Sequence, residues 1–169
     1  MDSRVPGSGR FLYCQYKLQP ELNRSRYVAV CGASDPEPVQ RELAREVGRR
    51  LAEAEAVVLC GGLGGVMEAA SEGAAGAGGL VVGILPGGDR DAGNPHLGLA
   101  IATGLGEARN AVLTSAADSV IAIGRGWGTL SEIGLAMKKG RPVVGLDTWT
   151  VDGLRVAASP DEAVKIALG

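Results

Sequence analysis

The sequence predicts a single α/β domain with a mostly parallel sheet and helices on both faces. Short apolar runs typical of buried strands alternate with longer amphipathic stretches typical of helices, which is the pattern of βαβ units. The 169 residues suit one domain, and 46% hydrophobic but only 4% aromatic residues indicate a core of small aliphatic side chains. The 27 glycines indicate tight turns between the elements.

Strands are predicted where short apolar runs end at or near turn residues. These runs lie at 27–31, 56–60, 80–85, 99–103, 119–123, 142–146 and 154–158. Helices are predicted where polar and apolar residues alternate with helical spacing between the runs. These stretches lie at 36–55, 66–77, 107–116, 130–139 and 160–168. Because parallel strands place their carboxyl ends at one edge of the sheet, the loops that follow them are the candidate site.

Residues 1–26 precede this regular pattern and are predicted to form a basic arm, partly disordered or with an edge strand at 11–18. Basic residues outnumber acidic ones there: Arg4, Arg10, Lys17, Arg24 and Arg26 against Asp2 and Glu21. Residues 27–169 are predicted to form one Rossmann-like domain that binds a nucleotide or phosphate.

The composition argues against several partners. Because 17 Lys and Arg nearly balance 19 Asp and Glu, there is no overall positive charge to attract a nucleic-acid polymer. No window approaches the roughly 20 apolar residues that cross a bilayer, and the N-terminus lacks the apolar region of a signal peptide. With three cysteines and no CxxC motif, the sequence predicts a cytoplasmic protein with free thiols.

Three loops after predicted strands are rich in glycine, at 61–65, 86–88 and 124–129. Glycine loops that open helices direct backbone N–H groups and the positive helix end at an anion, so they predict a phosphorylated ligand. The alternative is that the glycines serve only turns and close packing. The predicted ligand-binding residues are Gly32, Ser34, Gly61, Gly62, Gly64, Gly65, Pro86, Gly87, Gly124, Arg125, Gly126, Trp127, Gly128 and Thr129.

Other nucleotide and metal signatures are missing from the sequence. No GxGxxG follows the first strand and no GxxxxGK(S/T) occurs, which argues against a dinucleotide dehydrogenase and a P-loop NTPase. No metal site is predicted, because His96 is the only histidine and no group of ligating side chains accompanies it.

Glu132 and Arg109 are the candidate reactive residues. The stretch from Thr129 to Glu132 matches a capping box, so Glu132 is predicted to cap the helix, to serve catalysis beside the phosphate loop, or both. Arg109 is predicted to pair with an anionic ligand or with Glu132; a surface position is the alternative.

These motifs, taken in order, resemble one superfamily. They are YVAVCGAS at 27–34, GGLGGVM at 61–67, RN at 109–110 and GWGTLSE at 126–132, within a similarity that covers about 27–146. They are similar to the LONELY GUY phosphoribohydrolases, which activate cytokinins, and to the molybdenum cofactor carrier proteins. Members have often been labelled lysine decarboxylases, but no lysine here lies in a context suited to a pyridoxal Schiff base, so that activity is not expected.

The resemblance implies roles for individual residues. In the hydrolases a PGGxGTxxE motif holds a ribose 5′-phosphate, and its Glu works with an upstream Arg to break the N-glycosidic bond; Glu132 and Arg109 occupy the matching positions. Gly124 and Arg125 replace the opening Pro and first Gly of that motif. Arg125 is predicted either to add a phosphate contact or to fill part of the pocket. The sequences around Arg109 and Glu132 are more similar to the carrier-like branch.

Three functions follow from these observations. The favoured one is binding of a pterin or nucleotide phosphate, with the molybdenum cofactor as possible cargo and no cofactor required by the protein itself. In this function Trp127 is predicted to stack on a ligand ring; the alternative is that it packs on its own domain. The alternatives are a nucleoside 5′-monophosphate phosphoribohydrolase and a nucleotide-sensing module that needs neither Arg109 nor Glu132. Apolar helix surfaces and the resemblance predict a homo-oligomer, a dimer or tetramer.

Overall fold

The structure is a computed structural model and describes residues 25–169. Residues 1–24, which contain most of the predicted basic arm and all of its predicted edge strand, lie outside the described residues. None of the helices in the described part of the chain is long and apolar enough to cross a membrane.

Seven strands and five α-helices alternate along residues 25–169, which confirms the predicted α/β class. The strands are β1 (Tyr27–Gly32), β2 (Val57–Cys60), β3 (Val81–Leu85), β4 (Leu99–Ala102), β5 (Ser119–Gly124), β6 (Val143–Thr148) and β7 (Arg155–Val156). The helices are α1 (Pro38–Glu53), α2 (Val66–Gly76), α3 (Arg109–Ala116), α4 (Trp127–Lys138) and α5 (Pro160–Leu168). A 3₁₀ turn at Gly106–Ala108 leads into α3.

The strands form one parallel sheet in the order β4-β3-β2-β1-β5-β6-β7. The chain winds outward from β1 to β4 and then returns to add β5 on the other side of β1. The strand order therefore reverses between β1 and β5, and sheets of this kind bind ligands in the crevice at such a switch point.

Helices cover both faces of the sheet, as predicted, because successive strand side chains point to opposite faces. Val28 and Val30 of β1 belong to the apolar layer beneath α1, α2 and α5. Ala29 and Cys31 belong to the layer beneath α3 and α4. Both layers consist mainly of Ala, Val, Leu and Ile, in agreement with the low aromatic content.

Glycine allows α1 and α2 to pack backbone against backbone. A Cβ on Gly48 would lie 2.0 Å from the Ala70 carbonyl oxygen, and one on Gly73 would lie 1.9 Å from the Arg45 carbonyl oxygen. Both distances are far shorter than van der Waals contact, so any larger residue would push the helices apart. Part of the high glycine content therefore serves packing and not the site.

Candidate functional site

A cavity of about 310 Å³ opens at the switch point, beyond the carboxyl ends of β1, β2 and β5. Its size lies at the lower end of the range for small-molecule sites, roughly 300–1,000 Å³. It is lined by Gly32, Ala33, Ser34, Leu63, Met67, Glu107, Arg109, Asn110, Gly126, Trp127, Gly128, Thr129 and Glu132. Three loops and the start of α3 thus meet in one place, as the sheet topology requires.

Helix α4 begins at the cavity, and it begins earlier than the sequence pattern indicated. Gly126 is the N-cap residue, with extended backbone (φ −165°, ψ 157°), and its carbonyl oxygen accepts the Leu130 N–H at 2.9 Å. The predicted capping box was therefore wrong: Thr129 lies inside the first helical turn, and Glu132 is too far along the helix to reach the cap. The N–H groups of this first turn lie outside the helix's own hydrogen-bond ladder and remain available to an anion.

Several buried polar atoms at the cavity have no hydrogen-bond partner within the described residues. They are Thr129 Oγ1, Arg109 Nε and Asn110 Oδ1. Each of these side chains is more than nine-tenths buried. A buried polar atom without a partner costs free energy, on the order of 1–3 kcal/mol, so three of them around one cavity favour occupation of that cavity by polar groups, from water or from a ligand.

Arg109 and Glu132, which both line the cavity, form a buried ion pair with 3.4 Å between Nη1 and Oε1. Burial raises the pKa of Glu132 to about 7, although the Arg109 charge and a hydrogen bond from the Cys31 thiol act to lower it. Burial also raises the pKa of the Cys31 thiol well above its ordinary value, so that thiol stays protonated. A carboxyl group whose pKa is raised in this way can give or take a proton near neutral pH. The pairing of Arg109 with Glu132 confirms one sequence-based prediction for Arg109, and the surface alternative was wrong.

Gly61 holds the Arg109 side chain in place. A Cβ on Gly61 would lie 2.2 Å from Nη1 and 2.6 Å from Cζ of Arg109, so the guanidinium rests directly on the bare backbone after β2. Although Gly61 does not line the cavity itself, it positions a residue that does.

Two residues that the sequence did not single out fix the geometry of the α4 start. Asn110 Nδ2 donates to Ser131 Oγ at 2.9 Å, and Ser131 Oγ donates to the Gly128 carbonyl oxygen at 2.9 Å. This chain of hydrogen bonds ties α3 to the first turn of α4. Asn110 follows Arg109 directly in the RN motif, which was the available signal.

A model of the SLOG cluster4 family matches residues 25–167. The chain belongs to this family. It is 42% identical over 142 residues to an uncharacterized protein of Archaeoglobus fulgidus, covering 83% of this chain and 93% of that protein.

The fold of this SLOG cluster4 protein is also similar to solved carrier structures. The molybdenum cofactor binding protein of the phototrophic bacterium Rippkaea orientalis matches with a TM-score of 0.81 and 35% identity, covering 85% of this chain and 95% of that one. The molybdenum cofactor carrier protein of Chlamydomonas reinhardtii matches with a TM-score of 0.78 and 32% identity, covering 84% and 95%. The predicted resemblance to the carrier-like branch is confirmed.

The other predicted ligand-binding residues of this family member occupy several environments. Gly32 and Ser34 line the cavity together with the α4 start. Gly62 and Gly65 have positive φ values of 77° and 71° and form the turn into α2. Gly64, Pro86, Gly87 and Gly124 are not among the lining residues, and Gly124 turns out of β5 with a φ of 72° beside Gln40. Contact between these last residues and a ligand stays a prediction.

Arg125 lies at a second cavity of about 470 Å³, which adjoins the first at Ala33. Its Nε donates to the Thr148 carbonyl oxygen at 3.3 Å. The second cavity is otherwise polar and acidic, lined by Ala33, Asp35, Glu37, Gln40, Arg125 and Asp147. Arg125 is not among the residues that line the first cavity, so it does not fill it.

Proposed function

We propose that this SLOG cluster4 protein binds a small phosphorylated ligand of pterin or nucleotide type at the switch-point cavity, as a carrier of the molybdenum cofactor. The observation that carries the proposal is the set of buried polar atoms without partners, Thr129 Oγ1 and Arg109 Nε among them, beside the free N–H groups of the α4 start. Buried side-chain donors and backbone N–H groups at a helix start both bind phosphate groups.

The likeness to two molybdenum cofactor proteins, each over more than four-fifths of the chain, supports the choice of cargo. The residues present suit such a group: the donors belong to residues that line the cavity, and Asn110 Oδ1 adds an acceptor that a hydroxyl or ring N–H would satisfy. The cofactor would supply its metal and dithiolene chemistry to a recipient enzyme. The chain's own residues would hold the phosphate and shield the ligand from water.

To test whether the protein carries the molybdenum cofactor, it is produced in a molybdenum-replete host and purified under exclusion of oxygen. We expect molybdenum by mass spectrometry and oxidised pterin by fluorescence, both close to one per chain. A protein that binds phosphate but carries neither molybdenum nor pterin would contradict the carrier function and leave only an anion site.

The anion site is tested separately with Thr129→Val, which removes the hydroxyl and keeps the shape. Loss of a hydrogen bond to a charged group is expected to weaken binding of inorganic phosphate by roughly 10-fold or more in calorimetry. Thr114→Val is the matched control, because Thr114 is equally buried but does not line the cavity, and its hydroxyl already has partners in the Asn110 carbonyl oxygen and Lys139 Nζ. Equal weakening by both substitutions would contradict the assignment.

A phosphoribohydrolase is the second candidate, and the buried Arg109–Glu132 pair favours it. A carboxyl group with a pKa of about 7 suits general acid–base catalysis, and the guanidinium stabilises developing negative charge. Release of free base from purine and pyrimidine monophosphates, followed by chromatography, tests this candidate. Turnover that falls roughly 100-fold in Glu132→Gln would establish it, and no base release by the wild type would reject it.

The proposed setting is the cytoplasm. Cys31 and Cys60 are buried free thiols, which suits a reducing compartment. The small cavity supports a small-molecule ligand over a nucleic-acid polymer.

A further inference from the structure

Trp127, the first residue of α4, projects an almost uncovered indole at the cavity. Its side chain is 81% exposed, more than any other large hydrophobic residue of the described chain. Indole has a large apolar surface, and removing that surface from water would lower the free energy. Exposure of this residue, in the lining of a cavity that lacks its polar partners, indicates a surface that something else covers.

One side of the indole is supported by a second tryptophan. The ring centroids of Trp127 and Trp149 are 5.9 Å apart and their planes are tilted by 33°. Trp149 Nε1 in turn donates to the Gly126 carbonyl oxygen at 3.3 Å, which ties this support to the loop that opens α4. The two rings therefore contact each other, and the hydrogen bond to Gly126 fixes their position relative to the loop that opens α4.

The space beside Trp127 is open because its neighbours are glycines. A Cβ on Gly128 would meet no atom within 4 Å, although Gly128 lines the cavity and has ordinary helical φ. A flat group could thus approach the indole without displacing a side chain. Thr129, with its buried unpartnered hydroxyl, follows in the same helical turn.

We propose that Trp127 is a specificity-determining residue that stacks on the planar heteroaromatic ring of the ligand, while the first turn of α4 holds the ligand's phosphate. The inference rests on the proposed function, because it takes the cavity as an anion site. Since ring and phosphate are bound within one helical turn, the ligand class is a purine or pterin joined to its phosphate by a short arm. A longer dinucleotide would exceed this spacing.

The test compares phosphorylated ligands with and without a heteroaromatic ring. GMP and neopterin monophosphate carry a ring, ribose 5-phosphate does not, and inorganic phosphate reports the anion site alone. In calorimetry we expect the wild type to bind at least one ring-bearing ligand about 10-fold more tightly than ribose 5-phosphate, in line with the usual contribution of a stacked base. Trp127→Ala should abolish that preference, and Trp127→Phe should keep most of it.

Fluorescence supplies an independent readout, because the chain contains only two tryptophans. In a Trp149→Phe background all emission comes from Trp127, and GMP should quench it whereas ribose 5-phosphate should not. Ribose 5-phosphate binding without any preference for a ring would overturn stacking and leave the proposed anion site intact. No binding of any of the four ligands would contradict both. A Trp127 spectrum that shifts with protein concentration alone would also overturn the proposal, in favour of cover by a second copy of the chain.

Discussion

At the scale of single residues, the contact between Gly61 and Arg109 decides the electrostatics of the site. The guanidinium lies on the Gly61 backbone and reaches Glu132 from there. Because the Arg109 charge lowers the pKa of Glu132 against the effect of burial, moving the guanidinium away would raise that pKa.

Gly61→Ala is therefore expected to raise the pKa of Glu132 above about 7 and to weaken phosphate binding. The side-chain carboxyl signal of Glu132, followed by NMR against pH, measures the first effect, and calorimetry measures the second. Gly76→Ala is the matched control, since a Cβ at Gly76 meets no atom within 4 Å. A Glu132 titration unchanged by Gly61→Ala would show that Gly61 does not position Arg109.

Burial of Glu132 also makes stability depend on pH. Its pKa rises from 4.5 to about 7 on folding, so between these values the folded protein binds more protons than the unfolded chain. The contribution of this carboxyl to stability is complete below pH 4.5 and is lost as the pH rises to about 7. At about 1.4 kcal/mol per pKa unit, the loss is about 3 kcal/mol.

Glu132→Gln removes this titration, so the difference in unfolding free energy between variant and wild type should shift by about 3 kcal/mol in favour of the variant from pH 4.5 to 7.5. Urea unfolding at both values measures it, and the comparison cancels carboxylates such as Glu46, whose pKa is lowered to about 2. A constant difference between the two proteins would mean that Glu132 keeps an ordinary pKa in the folded state.

At the scale of elements, helix α4 contains two glycines that differ in their position relative to the cavity. Gly128 and Gly134 both have open space where a Cβ would stand. Only Gly128 lines the cavity. Glycine within a helix destabilises it relative to alanine, so the fold alone gives no reason to keep either residue.

Alanine at either position is expected to stabilise the protein, by about 1 kcal/mol at Gly134 and less in the first turn at Gly128. Only Gly128→Ala should weaken phosphate binding, by roughly 10-fold, because its Cβ enters the space where the anion meets the N–H groups. Thermal unfolding and calorimetry separate the two effects. An unaltered phosphate affinity in Gly128→Ala would place the anion away from the α4 start.

The sequence predicted the elements well, but it misplaced the start of α4. Apolar runs and helical spacing located every strand and helix of the described chain to within a few residues. The predicted capping box failed because the helix starts three residues earlier, at an N-cap Gly126 with extended backbone and no side-chain cap. Thr and Gly are about equally favoured as N-caps, and contacts of the loop with β6 and Trp149 fix the chain at Gly126.

At the scale of the whole molecule, one face of the sheet is left partly uncovered. Leu99 and Ile101 of β4 are 52% and 42% exposed, and Leu105 and Val112 nearby are exposed as well. β4 pairs with β3 so that Leu99 and Ile101 continue the layer beneath α3 and α4. A cluster of exposed aliphatic residues in continuity with a core layer is typical of a surface that another molecule covers.

We therefore expect the protein to form at least a dimer, with this face in the contact. Light scattering at micromolar concentration should give a mass well above the 17.2 kDa of one chain. The double substitution Leu99→Lys and Ile101→Lys should lower that mass to one chain. Val39→Lys, at an exposed position on α1, should leave it unchanged. A wild-type mass of one chain at every concentration would contradict this prediction.

The sequence by itself determined the α/β class and the glycine-rich loops, because each rests on local spacing that the chain carries along its length, and it offered the pairing of Arg109 with Glu132 as one of several alternatives. Only the tertiary structure decided that α3 and α4 meet near the end of β1, that Gly61 supports Arg109, and that Arg125 lines a second cavity. It also brought Trp149 beside Trp127. These contacts join residues far apart in the chain, and their geometry follows from strand order and packing, which no local pattern encodes.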